Sequence, residues 1–144
     1  MANVSKLLEK KGKELISVSP DTGIRDAISK MAEKSAGTAL VMDGNKLVGI
    51  FSERDVIRKV YLQDKCSKTK VSEIMSTKLT TVKADTTLES CMEMMTEKRI
   101  RHLPVMSGDQ VIGVISIGDI VKFMVQEKEF VIKNLQNYIA GPGM

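Results

Sequence analysis

Two seven-residue stretches carry the residue types best suited to chemistry. Ser52 and Asp55 stand in GIFSERD (49–55), and Ser116 and Asp119 stand in GVISIGD (113–119). In each, a hydroxyl and a carboxylate lie three residues apart where an apolar strand run gives way to a helical pattern. A helix start offers free N–H groups and partial positive charge, which suit a phosphate, and a serine hydroxyl can join those donors. A carboxylate one turn in can accept two hydrogen bonds from a vicinal diol such as that of a ribose. Aliphatic residues of the preceding strand could pack on a purine. The same spacing also fits a capping box that merely closes the first helical turn. That box more often uses the longer Glu or Gln, so Asp chosen twice favours a ligand, but both readings stand.

Other chemistries find little support. The chain has one His and two Cys, Cys66 and Cys91, without metal-ligand spacing or a disulfide framework. No G-x-S-x-G or P-loop is present, so no catalytic and no metal residues are assigned. Residues 1–15 have no apolar secretory segment, and no run reaches the ~18 apolar residues of a membrane span. Two reduced thiols then fit a cytoplasmic protein. The net charge of +4 and pI near 9.1 come from interspersed charges. That balance suits small anionic ligands. With three Phe, two Tyr and no Trp, stacking residues for nucleic acid are scarce, and no nucleic-acid partner is expected.

The elements that position these residues come from an internal duplication. Gly49 and Gly113 lie 64 residues apart, and shifting 16–60 by that amount onto 80–124 aligns twelve identical pairs without a gap, from Val18/Val82 to Asp55/Asp119. Average usage would give about three. Each copy reads as strand (15–18 or 79–82), helix, strand, turn, strand, helix. The first helices show apolar residues at Ile24, Ala27, Ile28, Met31 and at Leu88, Cys91, Met92, Met95. Thr86 with Glu89 fits a capping box. The return strands, LVGIFS and VIGVIS, read as buried on both faces. The final helices should bury Val56, Ile57 and Val60, and Ile120, Val121 and Met124. The expected organisation is an N-terminal helix within 1–14, repeat one at 15–61, a linker at 62–78, repeat two at 79–125, and a helical extension at 126–144. A copy of about 45 residues is too small for a comfortable core, so the two should pack sheet against sheet.

The duplicated unit, with GIFSERD, GVISIGD, VMDGNKLVGI and RIRHLPVMSGDQVIGVIS, resembles a cystathionine β-synthase (CBS) domain pair of the stand-alone bacterial kind, over about residues 15–125. The resemblance implies an α/β (α+β) fold of two β-α-β-β-α repeats with pseudo-twofold symmetry and two clefts between them. It implies a regulatory module that binds AMP, ADP, ATP, NAD(H) or S-adenosylmethionine, requires no cofactor, forms a homodimer and signals to an unidentified regulated protein. A ligand-independent interaction scaffold is the alternative. Carried onto this chain, Asp55 with Ser52 serves one cleft and Asp119 with Ser116 the other. Backbone edges at Ser17-Val18 and Thr81-Val82 would meet adenine, and Val18, Ile50, Val82 and Val114 would pack on the ring. Arg54, Arg101 and His102 are expected at phosphates. Copy one has Gly37 and Thr38 where copy two has Arg101 and His102, so the clefts should be unequal.

Overall fold

Short apolar runs between turn residues become strands in the computed structural model, which describes residues 2–12, 15–61 and 69–140. Helix α1 (Val4–Lys11) comes first. Repeat one follows as β1 (Ser17–Val18), α2 (Ile24–Glu33), β2 (Thr38–Asp43), β3 (Lys46–Ser52) and α3, which begins at Glu53–Asp55 and widens into π-helical turns over Val56–Tyr61. After the short α4 (Val71–Ile74), repeat two gives β4 (Val82–Lys83), α5 (Leu88–Lys98), β5 (His102–Ser107), β6 (Gln110–Ser116) and α6 (Ile117–Ala140). The first seven residues of the expected linker, 62–68 with Cys66, lie outside the described residues.

Each repeat builds one three-stranded sheet, ordered β1-β2-β3 and β4-β5-β6. The first pair is parallel and the second antiparallel, with Val18 opposite Val41 and Val82 opposite Val105. The hairpins turn on Gly44 and Gly108, whose φ of 61° and 60° lies in the left-handed region that favours glycine. Two cores result. Val18, Ile24, Ala27, Met31 and Phe51 fill the first, and Leu88, Cys91, Met95, Leu103 and Ile115 the second. The sheets face each other through β3 and β6.

The remaining core comes from exchanged helices. Val71 and Ile74 of α4 precede repeat two yet complete the core of repeat one. Val4, Leu7 and Leu8 of α1 precede repeat one yet complete that of repeat two. The matching backbone bonds are Val71 N–H to Thr22 O at 2.8 Å and Val4 N–H to Thr86 O at 2.9 Å. VSKLL (4–8) is thus the counterpart of VSEIM (71–75). The glycines of the two motifs admit these helices. A Cβ on Gly113 would sit 2.8 Å from Leu8 Cδ2, and one on Gly49 2.5 Å from Met75 Sδ and 3.1 Å from the Ser76 carbonyl. Gly113→Ala is therefore expected to lower stability by about 1–3 kcal/mol through overpacking against α1. A urea midpoint equal to that of the unmodified chain would show that α1 does not seat there.

Several local expectations change. The return strands bury one face only: Gly49 and Phe51 are buried while Ile50 and Ser52 are half-buried. That open face borders the space between the repeats. Ile28, Ile57 and Val121 are exposed, and Phe123 takes the buried place expected of Val121. The π-helical widening of α3 turns Ile57 away from the stripe that an ideal 3.6-residue period would give. The cap of α5 is Thr87, which accepts from Ser90 N–H, while the Thr86 hydroxyl accepts from Lys83 N–H in the preceding turn. Beyond Met124, α6 leaves the body, with Phe130 and Leu135 exposed. Among the described residues, no helix is long and apolar enough to cross a membrane.

Candidate functional site

Strand register brings the two motifs toward one axis. Thr38 pairs with Ser52 and His102 pairs with Ser116. Thr38 Oγ1 and His102 Nδ1, counterparts under the 64-residue shift, then meet at 3.2 Å. One cleft opens on each side of this contact. Both are lined from both repeats, pairing the motif of one with the residues that enter β2 or β5 of the other.

The capping reading is realised at both motifs. Ser52 N–H donates to Asp55 Oδ2 at 3.0 Å, and Asp55 N–H donates to Ser52 Oγ at 3.3 Å. The second motif repeats this, with Ser116 N–H to Asp119 Oδ2 at 2.9 Å and Asp119 N–H to Ser116 Oγ at 3.0 Å. Glu53 N–H and Ile117 N–H donate to the Gly37 and Arg101 carbonyls. Two of the first three amides of each helix are thus taken. An anion here must rely more on side-chain cations than on the helix start. The caps nevertheless leave both carboxylates in the cleft walls. Asp55, only 8% exposed, also meets Lys59 Nζ at 3.4 Å through Oδ1. Asp119 instead meets a cation from α1: Lys11 Nζ lies 2.5 Å from Asp119 Oδ2 and 2.6 Å from the Val114 carbonyl oxygen.

The clefts differ in size and charge. The first is about 540 Å³, within the ~300–1,000 Å³ range of small-molecule sites, and the second about 230 Å³, below it. Six cations line the first (Arg54, Arg58, Lys59, Lys78, Arg99 and Arg101) against the carboxylates of Glu53 and Asp55. In the second, Ser35, Ala36, Gly37 and Thr38 replace Arg99, Ile100, Arg101 and His102 as the facing segment, and Lys11 is its lysine.

Of the residues singled out in the sequence, Ile50, Ser52, Arg54, Asp55, Arg101 and His102 gather in the first cleft. Val114, Ser116 and Asp119 gather in the second, where His102 also appears. Ser17, Val18, Thr81 and Val82 border neither. The strands holding them are two residues long, and Val18 and Val82 are drawn into the cores at 7% and 4% exposure. The Ser17 carbonyl accepts from Lys30 Nζ, and Thr81 stands exposed before β4. Ile16 and its counterpart Thr80 border the clefts instead. Arg58, Arg99, Lys59 and Lys78 of the first cleft and Lys11 of the second were not among the residues singled out. The signal for Lys11 and Lys78 was present, since each follows its VSKLL or VSEIM segment by three residues.

Electrostatics follow the geometry. Burial pushes the His102 pKa down, the Lys11 charge pushes it further, Asp119 opposes, and Arg101 adds a smaller downward push. Burial works to raise the Asp119 carboxyl, but the Lys11 hydrogen bond, the Ser116 N–H and the Lys11 charge outweigh it and hold the pKa below its ordinary value. Cys91, fully buried in the second core, is pushed up to about 11 by desolvation. Among the described residues no cluster of His, Cys, Asp or Glu could hold a metal.

Known proteins share this architecture. The sequence profile of the CBS domain matches residues 9–62 and again 71–126. The chain is 36% identical over 148 aligned residues to the mitochondrial CBS domain-containing protein CBSX3 of Arabidopsis thaliana, covering 96% of this chain and 72% of that one. It resembles a putative signal-transduction protein with CBS domains from Burkholderia ambifaria at 43% identity and a TM-score of 0.83, over 87% of this chain and 95% of that one. The protein CBSX2, solved in complex with AMP, matches at 26% identity and a TM-score of 0.74, over 89% and 99% of the two chains. With the profile spanning both repeats and this relative aligned along nearly all of the chain, the protein belongs to the CBS domain family and carries that domain twice.

Proposed function

We propose that the protein is a regulatory module that binds an adenosyl nucleotide in the first cleft. The observation that carries this is the placement of Asp55 in one repeat opposite Arg99 and Arg101 of the other, across a cavity of about 540 Å³. A carboxylate suits a ribose diol, and the guanidinium groups suit a phosphate through charge-assisted hydrogen bonds. Ile50, half-buried beside the motif, offers an apolar face to the base. The AMP complex of the neighbour CBSX2 supports the same ligand class. Binding rather than turnover is the assignment, in line with that complex.

Because the contacts come from both repeats, a bound nucleotide biases their relative position, by as much as its affinity differs between the two arrangements. A regulated protein would read that change. Calorimetry against AMP, ATP, NADH and S-adenosylmethionine is the test, with solution scattering on the complex. At least one adenosyl ligand is expected to bind in the micromolar range or tighter and to alter the scattering profile. Flat titrations with all four would remove the nucleotide reading, and binding with an unchanged profile would remove the signalling part.

A further inference from the structure

We infer that Lys11 is an internal competitor for the second cleft, holding the carboxylate that a nucleoside would otherwise engage, so that the first cleft fills first. The inference rests on the nucleotide reading above and concerns the regulation of its second site.

Lys11 Nζ sits between Asp119 Oδ2 at 2.5 Å and the Val114 carbonyl oxygen at 2.6 Å. Asp119 is the counterpart of Asp55, and Val114 of Ile50, whose carbonyl in the first cleft is already held by Ser76 N–H at 2.8 Å. The ammonium is delivered by the last turn of α1, which Leu7 and Leu8 anchor in the core of repeat two. A tethered cation held this way acts at a high effective concentration, and a free ligand must displace it.

The first cleft lacks this arrangement. There the cation on Asp55 is Lys59, one turn along the same helix, at the longer distance of 3.4 Å. The position matching Lys59 in repeat two is Phe123, buried in the core, so no lysine stands four residues after Asp119, and the cation on its carboxylate comes from α1. Lys78, the counterpart of Lys11, follows the shorter α4 and lines the larger cavity. Lys11 thus separates two sites that the duplication would otherwise make alike. It also ties filling of the second cleft to movement at the end of α1.

The test uses the intact chain and a reporter that needs no ligand. His102 is the single histidine, so its imidazole signal in NMR is unambiguous. Lys11, Asp119 and Arg101 are the charged groups that act on it. Lys11→Met keeps the aliphatic stem and removes the charge, and Lys11→Arg restores it. The His102 pKa is expected to rise in Lys11→Met and to return in Lys11→Arg. AMP is then titrated into both variants and into the same variants carrying Asp55→Asn, which isolates the second cleft. Lys11→Met should tighten AMP there by on the order of ten-fold, the worth of a charge-assisted contact, and leave the first cleft unchanged. A His102 pKa that does not move would overturn the inference, because Lys11 would not occupy the cleft. So would a pKa that moves without any gain in second-cleft affinity. Either result leaves first-cleft binding intact. Absence of AMP binding at both clefts would instead remove the nucleotide reading and the competitor role together.

Discussion

A chain that begins after Gly12 is expected to lose the fold of repeat two. Three side chains of α1, Val4, Leu7 and Leu8, are at most 4% exposed in that repeat's core. Each such burial contributes about 1.5–3 kcal/mol, and whole domains hold only about 5–15 kcal/mol. The truncation also removes the backbone partners of Leu88 and Thr86, at 3.2 and 2.9 Å. Repeat one keeps its own covering helix, α4, through Val71 and Ile74. The sharp expectation is therefore an asymmetric loss. Amide exchange should accelerate across β5, β6 and α5 and change less across β2 and β3. Uniform protection in the truncated chain would mean that α1 only decorates the surface. The point mutant Leu7→Ala should move the same way by about 2–5 kcal/mol, the usual range for a buried leucine.

That exchange of helices also marks where sequence reading reaches its limit. The twelve identities at a shift of 64 fixed the strands and hairpins, because glycine turns and period-two burial are local signals. Ser52, Asp55, Ser116 and Asp119 fell where expected for the same reason: strand ends and caps are set by their neighbours. Val18 and Val82 could not be placed by pattern, since a two-residue strand has no alternation to show which side faces the cleft. Lys11 lies far along the chain from Asp119, and nothing local pairs them. Only matching VSKLL with VSEIM, at a shift of 67 rather than 64, would have shown that the duplication reaches into α1. Arg99 escaped for another reason. Like its counterpart Ser35 it has a left-handed φ, 54° and 53° respectively, a conformation that ends α5 and sets this segment along the first cleft.

Asp55→Asn should weaken AMP at the first cleft by about 2–3 kcal/mol, roughly 30- to 150-fold, if the carboxylate holds the ribose diol. The structure makes this a demanding test, because Asp55 already serves as a cap. Asparagine retains an oxygen for Ser52 N–H, so the cap at 3.0 Å can survive the change and the fold with it. Asp55→Ala removes both functions and should cost about 0.5–2 kcal/mol of stability besides the binding loss. One complication runs the other way. Removing the Asp55 charge releases Lys59, which lies at 3.4 Å and also donates to the Ile74 carbonyl at 3.0 Å. The freed ammonium would favour a phosphate, but its side chain is 41% exposed and such pairs are worth at most about 1 kcal/mol. The diol term therefore wins, and the residual can be separated by using adenosine, which has the ribose but no phosphate. If the carboxylate reads the sugar, adenosine loses at least the factor AMP loses. If Asp55→Asn binds both as tightly as the unmodified chain while Asp55→Ala merely melts earlier, the acid closes its helix and does nothing more. The first cleft would then have to recognise its ligand through its cations, Arg54, Arg99 and Arg101 among them.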